Sequence, residues 1–264
     1  MSVMSRRELL SGAGGAAALG LLAAASPLRA RAAEGLASES ALCLSMLYPG
    51  GKGKFDADRF RDKHLPLVRS IYGDSVERIE LRVAPPPAKR VQSRFPAPPA
   101  AFVAAVNIWI RRIDEYGKHT AESAQQIQAD LLKVTGIVPY VQYDQLISHT
   151  GDSRVDVAVG TEVASTFYPN KDGGRWDAKY FVETYLPKVI DTYGKESLLR
   201  TEVSQGRTGQ NGAKAAIVGT SHLFIRDRAA FDAAGRKAMQ LFQETPNYTD
   251  IMGVFTFMRV HAAG

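Results

Sequence analysis

Short apolar runs alternate with amphipathic stretches along most of the chain, and the alternation repeats. Leu42 to Tyr48 reads as a strand that Pro49 stops. Phe60, His64, Val68 and Ile71 fall on one helical face, with Asp56 placed to cap the helix and Gly73 to close it. Pro66 lacks a backbone donor and clashes with the carbonyl of Asp62, so a kink or restart beside His64 is expected. Val76 to Val83 is a second strand and Phe102 to Ile110 a third. A long helix over Asp114 to Val134 and a strand over Val141 to Ile147 complete the set. A Pro-rich segment, Ala84 to Ala100, joins strands two and three and is expected to be mobile and to border a pocket or serve as a solvated link.

The same order then recurs. Tyr48-Pro49, a Gly/Lys loop and Phe55-Asp56 correspond to Tyr168-Pro169, a second Gly/Lys loop and Trp176-Asp177. Phe60, His64, Leu65-Pro66, Val68 and Tyr72-Gly73 match Phe181, Tyr185, Leu186-Pro187, Val189 and Tyr193-Gly194. Such a repeat decides the architecture. Two modules are expected, at 40–150 and 155–264. In the second, strands fall near Glu162 to Tyr168, Leu198 to Val203, Ala215 to Ile225 and Gly253 to Val260, with helices from Asp177 and Ala229 and a loop over Ser204 to Lys214. Each copy reads βαββαβ, the ferredoxin-like order with both helices on one face of an antiparallel sheet, and the bare faces of two copies can cover each other.

The first 32 residues differ from the rest. Ser5-Arg6-Arg7-Glu8-Leu9-Leu10 precedes a Gly/Ala-rich apolar stretch, Ala13 to Ala25, and Ala30-Arg31-Ala32 offers a small-residue cleavage site. This is the pattern of a twin-arginine signal peptide, which implies export to the periplasm or secretion. The stretch is broken by glycines and ends at Pro27, short of a bilayer span.

Charge changes little in this picture. The chain has 33 basic and 27 acidic residues, but 1–32 hold four of the arginines and one glutamate, so the remainder carries +3 rather than +6. No long basic run survives to suggest nucleic acid, and no membrane association is expected once the signal is removed. Cys43 stands alone, which rules out an intrachain disulfide.

The Tyr-Pro pair, the aromatic-Asp helix opening and the core Phe60-x-x-x-His64-x-Pro66 resemble the EthD family of the dimeric α+β barrel superfamily. The resemblance spans both copies, the first more faithfully, because Tyr185 stands where the family motif has a histidine. It implies an α+β fold, two tandem ferredoxin-like modules forming a dimeric α+β barrel within one chain. It also implies cofactor-free chemistry on a small apolar, aromatic or lactone-like compound: isomerisation, cyclisation, decarboxylation, lyase cleavage or monooxygenation of an activated aromatic.

The candidate residues each carry two readings. His64 is the candidate catalytic acid/base, since imidazole titrates near neutrality, or else a core histidine held by one hydrogen bond. On the third strands, Asn107, Trp109 and Arg111 share a face, as do His222, Phe224 and Arg226. Asn107, Trp109 and His222 could line a substrate site, or these faces pair between the modules. Tyr48, Tyr143, Tyr168 and Tyr185 could orient a ligand or simply pack. Gly50 to Lys54 lacks P-loop spacing and reads as a turn. His64, His119, His149, His222 and His261 are scattered without ligand spacing, so no metal is expected, and no cofactor motif occurs. Two other classes stay open: a non-catalytic periplasmic binding or accessory protein, and a handler of haem or quinone. Further homo-oligomerisation is left open.

Overall fold

The computed structural model describes residues 42–51, 53–85, 100–116, 121–150 and 157–263. The expected twin-arginine signal, residues 1–32, and most of the Ala84 to Ala100 connection, including Lys89, Arg90 and Arg94, lie outside the described residues, as does His119.

Eight antiparallel strands form one closed barrel. They are β1 (Leu42–Pro49), β2 (Val76–Val83), β3 (Phe102–Ile110), β4 (Tyr140–His149), β5 (Glu162–Pro169), β6 (Leu198–Gly209), β7 (Ile217–Ile225) and β8 (Val254–Ala263). Around the barrel they run β1-β3-β2-β8-β5-β7-β6-β4. Each module therefore contributes a sheet ordered 4-1-3-2, as the βαββαβ reading requires. The modules join edge to edge, through β2 with β8 and β4 with β6, rather than only stacking face against face. Closure leaves no free strand edge to pair with other chains.

The β4–β6 seam corrects one boundary. Ser204 to Gly209, expected as a loop, continues β6, because Gln145↔Gln205, Tyr143↔Thr208 and Gln142↔Gly209 pair across the modules. The local sequence is polar and rich in Gly; β7 pairs with it only as far as Gln205, and beyond that the partner module supplies the ladder that holds it extended.

Helix α1 runs through Ala57–Arg59, a π-helical turn Phe60–His64 and Leu65–Tyr72. The Asp56 side chain caps it, accepting from the Arg59 amide at 3.0 Å, and Gly73 ends it at φ +49°. Pro66 has its expected effect: Leu65 N–H bonds back to Phe60 O, five residues earlier, which widens the turn around the missing donor. The second module repeats every feature in α3: Ala178–Tyr180, a π-turn Phe181–Tyr185 and Leu186–Ser197, capped by Asp177 on the Tyr180 amide at 2.9 Å. Helix α2 covers Ala121–Val134 and α4 covers Arg228–Lys237. The expected long helix from Asp114 is described as Ile113–Tyr116 and α2, with 117–120 outside the described residues.

Strand alternation sorts the side chains into two cores. Leu44, Met46, Tyr48, Ile79, Leu81, Val106 and Ile108 point outward against Phe60, Val68 and Ile127 of α1 and α2. Cys43, Ser45, Arg82, Asn107, Trp109, Asp144, Glu202 and His222 point into the barrel. The outer core is mainly apolar, whereas the inner one sets polar and charged groups beside apolar side chains such as Leu47 and Phe167, so the two places where chemistry could occur lie on opposite faces of the same sheet.

Candidate functional site

His64 closes the π-turn of α1 and is 2% exposed. Its ring lies 4.9 Å from that of Phe60, which the widened turn sets beside it. Nδ1 is 3.1 Å from Asp130 Oδ2 of α2, and the other oxygen of Asp130 accepts from Arg59 at 2.9 Å. Burial pushes the imidazole below its ordinary value; the hydrogen bond and charge of Asp130 oppose the shift, and Arg59 adds to it. Burial alone would raise the Asp130 carboxyl, but hydrogen bonds from His64 and Arg59, with their charges, hold it below the usual carboxylate range. At neutral pH the pair is thus a neutral imidazole donating from Nδ1 to an ionised carboxylate. That leaves Nε2 as the basic atom.

Tyr48 and Tyr143 belong to the same outer core. Tyr48 is fully buried, packed edge-on to Phe55 at 4.8 Å, with a 4.0 Å contact to Met46 Sδ for its hydroxyl. Tyr143 is partly buried against the cluster, and burial raises its phenol as it does that of Tyr48.

At the corresponding place in the second module Tyr185 has no acidic hydrogen-bond partner among the described residues. Its ring lies 5.1 Å from Phe181 and 4.7 Å from Tyr248, within an aromatic cluster that includes Tyr168 and Trp176. The Tyr168 and Tyr248 hydroxyls are 3.2 Å apart. One copy thus holds a buried histidine–carboxylate pair and the other a packed aromatic core.

The structure places Asn107, Trp109 and His222 inside the barrel, separated by the sheet from His64. Asn107 Oδ1 accepts from Ser45 at 3.2 Å, and His222 Nδ1 lies 3.0 Å from Ser165 Oγ, the same pairing in each module. Burial first, then the charges of Arg82 and Arg200, keep His222 well below its ordinary value. Arg111 and Arg226, expected on this face, are exposed, because their strands end one residue earlier at Ile110 and Ile225.

Beside these residues lies a charge lattice that the sequence reading did not single out. Arg78, Glu80 and Arg82 of β2 meet Arg200 and Glu202 of β6 across the barrel, all at most 4% exposed. Glu202 accepts from Arg78 at 3.2 Å, Arg82 at 3.3 Å and Arg200 at 3.0 Å; Glu80 accepts from Arg82 and, at 3.3 Å, from Arg200. Arg82 and Arg200 also stack over the Phe224 ring, and Arg78 over Trp109. A signal was present: the Arg-x-Glu of β2 recurs in β6 at the equivalent repeat position, on strands whose other face is apolar. For Asp130, on a helix face, no such signal exists.

The barrel interior retains a cavity of about 10 Å³, room for roughly one water molecule. Among the described residues no group of three or more His, Cys, Asp or Glu is arranged to hold a metal ion.

Closed barrel, ferredoxin-like halves and outer helices define the chain as a dimeric α+β barrel built within one polypeptide. A solved structure agrees on the fold: a monooxygenase-like protein from Fusobacterium nucleatum matches 85% of this chain and 94% of its own at TM-score 0.52 and 10% identity. An EthD-like protein from Ralstonia eutropha JMP134 is similar over 38% of this chain and 91% of its own, with 25% identity and TM-score 0.36. An anthrone oxidase-like protein covers 86% of this chain and 94% of its own at 8% identity and TM-score 0.48. No protein-family model and no curated protein matches the sequence.

Proposed function

We propose that the chain is an exported acid/base enzyme acting without a cofactor on a small, mostly apolar aromatic or lactone-like compound, with His64 as the proton-transferring group. The observation that carries this reading is the His64–Asp130 pair. A neutral imidazole whose Nδ1–H is taken by a carboxylate has its tautomer and orientation set, and the carboxylate stabilises the imidazolium formed when Nε2 accepts a proton. Isomerisation, cyclisation, decarboxylation and lyase cleavage all need such a group in a dry setting. Asp130 is a positioning residue. The apolar surroundings, Tyr48, Phe55 and Phe60, suit an apolar substrate.

One observation favours the second reading, a non-catalytic binding protein. His64 is almost wholly buried between Phe60 and Asp130, as a packed core histidine would be.

A thermal-shift screen of aromatic acids and lactones supplies the ligand, and turnover then separates the readings. His64→Gln keeps size and hydrogen bonding, and should lower turnover by about 10²- to 10⁴-fold at saturating substrate. Tyr185→Phe should leave it nearly intact. Asp130→Asn removes the groups that raise the imidazole's proton affinity, so the acid limb of the kcat profile should move to lower pH, which a merely structural residue would not do. Full activity in His64→Gln would transfer the function to the binding reading.

A further inference from the structure

Two buried donors inside the barrel lack acceptors. Arg82 is fully buried, yet its Nη1 has no hydrogen-bond partner among the described residues, and neither has the indole Nε1 of Trp109, which is 5% exposed. Both side chains line the same 10 Å³ cavity, together with the hydroxyls of Ser204 and Thr220. A buried unmet N–H is destabilising, more so when it belongs to a charged group, so an occupant that accepts from both is favoured.

Charge selects the kind of occupant. The lattice sets Arg78, Arg82 and Arg200 against Glu80 and Glu202, one positive charge in excess. The other carboxyl at the cavity is Asp144 of β4, which accepts from Gln142 Nε2 at 2.5 Å. Besides the lattice, the titratable groups facing the cavity are Cys43 of β1, Asp144 and His222 of β7; β3, β5 and β8 contribute none. Burial pushes the Cys43 thiol up and the His222 imidazole down, so both are neutral near neutrality. Asp144 is pushed up to about 6 by burial, against the hydrogen bonds from Ser45 and Gln142, and is therefore the group that changes charge between pH 5 and pH 8. Among the described residues at the cavity and its lattice, protonation of Asp144 leaves three guanidinium groups to two carboxylates. Water satisfies hydrogen bonds but supplies no charge, and so narrow a cavity favours a monatomic anion over a polyatomic one.

We propose that the barrel interior is a binding site for one monovalent anion of halide size, held by the free N–H groups of Arg82 and Trp109, with Asp144 taking up a proton when the anion enters. The site is independent of the His64 reading, being on the other face of the sheet.

Bromide is the probe. Crystals of the full-length mature chain grown at pH 5 in sodium bromide should show one anomalous peak between Arg82 and Trp109, weaker or missing at pH 8. In solution at pH 5, replacing gluconate by bromide at constant ionic strength, at about ten times the dissociation constant, should raise Tm by about 3–6 °C. Trp109→Phe keeps the ring but removes a donor, and should lose this response. Asp144→Asn, permanently neutral, should keep the response at pH 8, where the parent protein loses it. A water in place of the peak at pH 5, identical Tm in gluconate and bromide, or an undiminished response in Trp109→Phe would each overturn the proposal.

Discussion

Glutamine at position 202 tests whether the charge lattice binds the two modules into one unit. Glu202 is 1% exposed and serves three arginines, at 3.2, 3.3 and 3.0 Å. Glu202→Gln preserves shape but leaves Arg78, Arg82 and Arg200 facing Glu80 alone, in an interior with too little water to solvate them. Breaking a buried pair by removing one partner costs about 3–5 kcal/mol, a large share of an ordinary folding free energy of roughly 5–15 kcal/mol. With an m-value of about 2–3 kcal/mol per M in urea, the unfolding midpoint should fall by about 1–2.5 M. Trp109 in the barrel and Trp176 in the second module's outer core report by fluorescence, and far-UV circular dichroism follows the whole chain. Because the lattice spans both modules, the two signals should coincide in a single transition. Arg78→Met combined with Glu202→Gln returns the lattice to its original net charge and should recover at least half of the loss. A midpoint within about 0.3 M of the parent, or a double variant weaker than the single one, would refute the reasoning.

Three further outcomes are expected. The Asp144 carboxyl is raised to about 6 in the fold and ionises near 4 when unfolded, so its contribution is present below about pH 4 and lost as pH rises through 6. In halide-free buffer the stability of Asp144→Asn relative to the parent should therefore rise between pH 4 and pH 8 by on the order of 3 kcal/mol, while buried His64 and His222 affect both proteins alike; a flat difference would contradict the raised value. A Cβ on Gly219 would sit 2.4 Å from the Trp176 ring, so Gly219→Ala should cost about 1–3 kcal/mol and lower Tm by several degrees in calorimetry. Replacing Arg6 and Arg7 by Lys should strand the precursor in the cytoplasm, as fractionation would show; undisturbed export would point to another route.

The repeat, the helix caps at Asp56 and Asp177, and the bounds of β2 and β3 could be read from the chain alone. Each depends on neighbours a few residues apart: an Asp carboxylate meeting an amide three residues on, or an alternation of two along a strand. Pro66 likewise announced a disturbance beside His64, although only the folded helix shows that a π-turn absorbs it. What depended on distant partners was not legible. Gly206 to Gly209 continues the strand because β4 of the other module pairs with it where β7 no longer does. Asp130 matters because α2 packs beside α1 and brings its carboxylate to an imidazole 66 residues earlier. The arginines and glutamates of β2 and β6 look, in sequence, like the solvated face of a half-buried sheet. Only closure of the barrel reverses that meaning, because it encloses the polar face and leaves buried charges to satisfy one another across the centre.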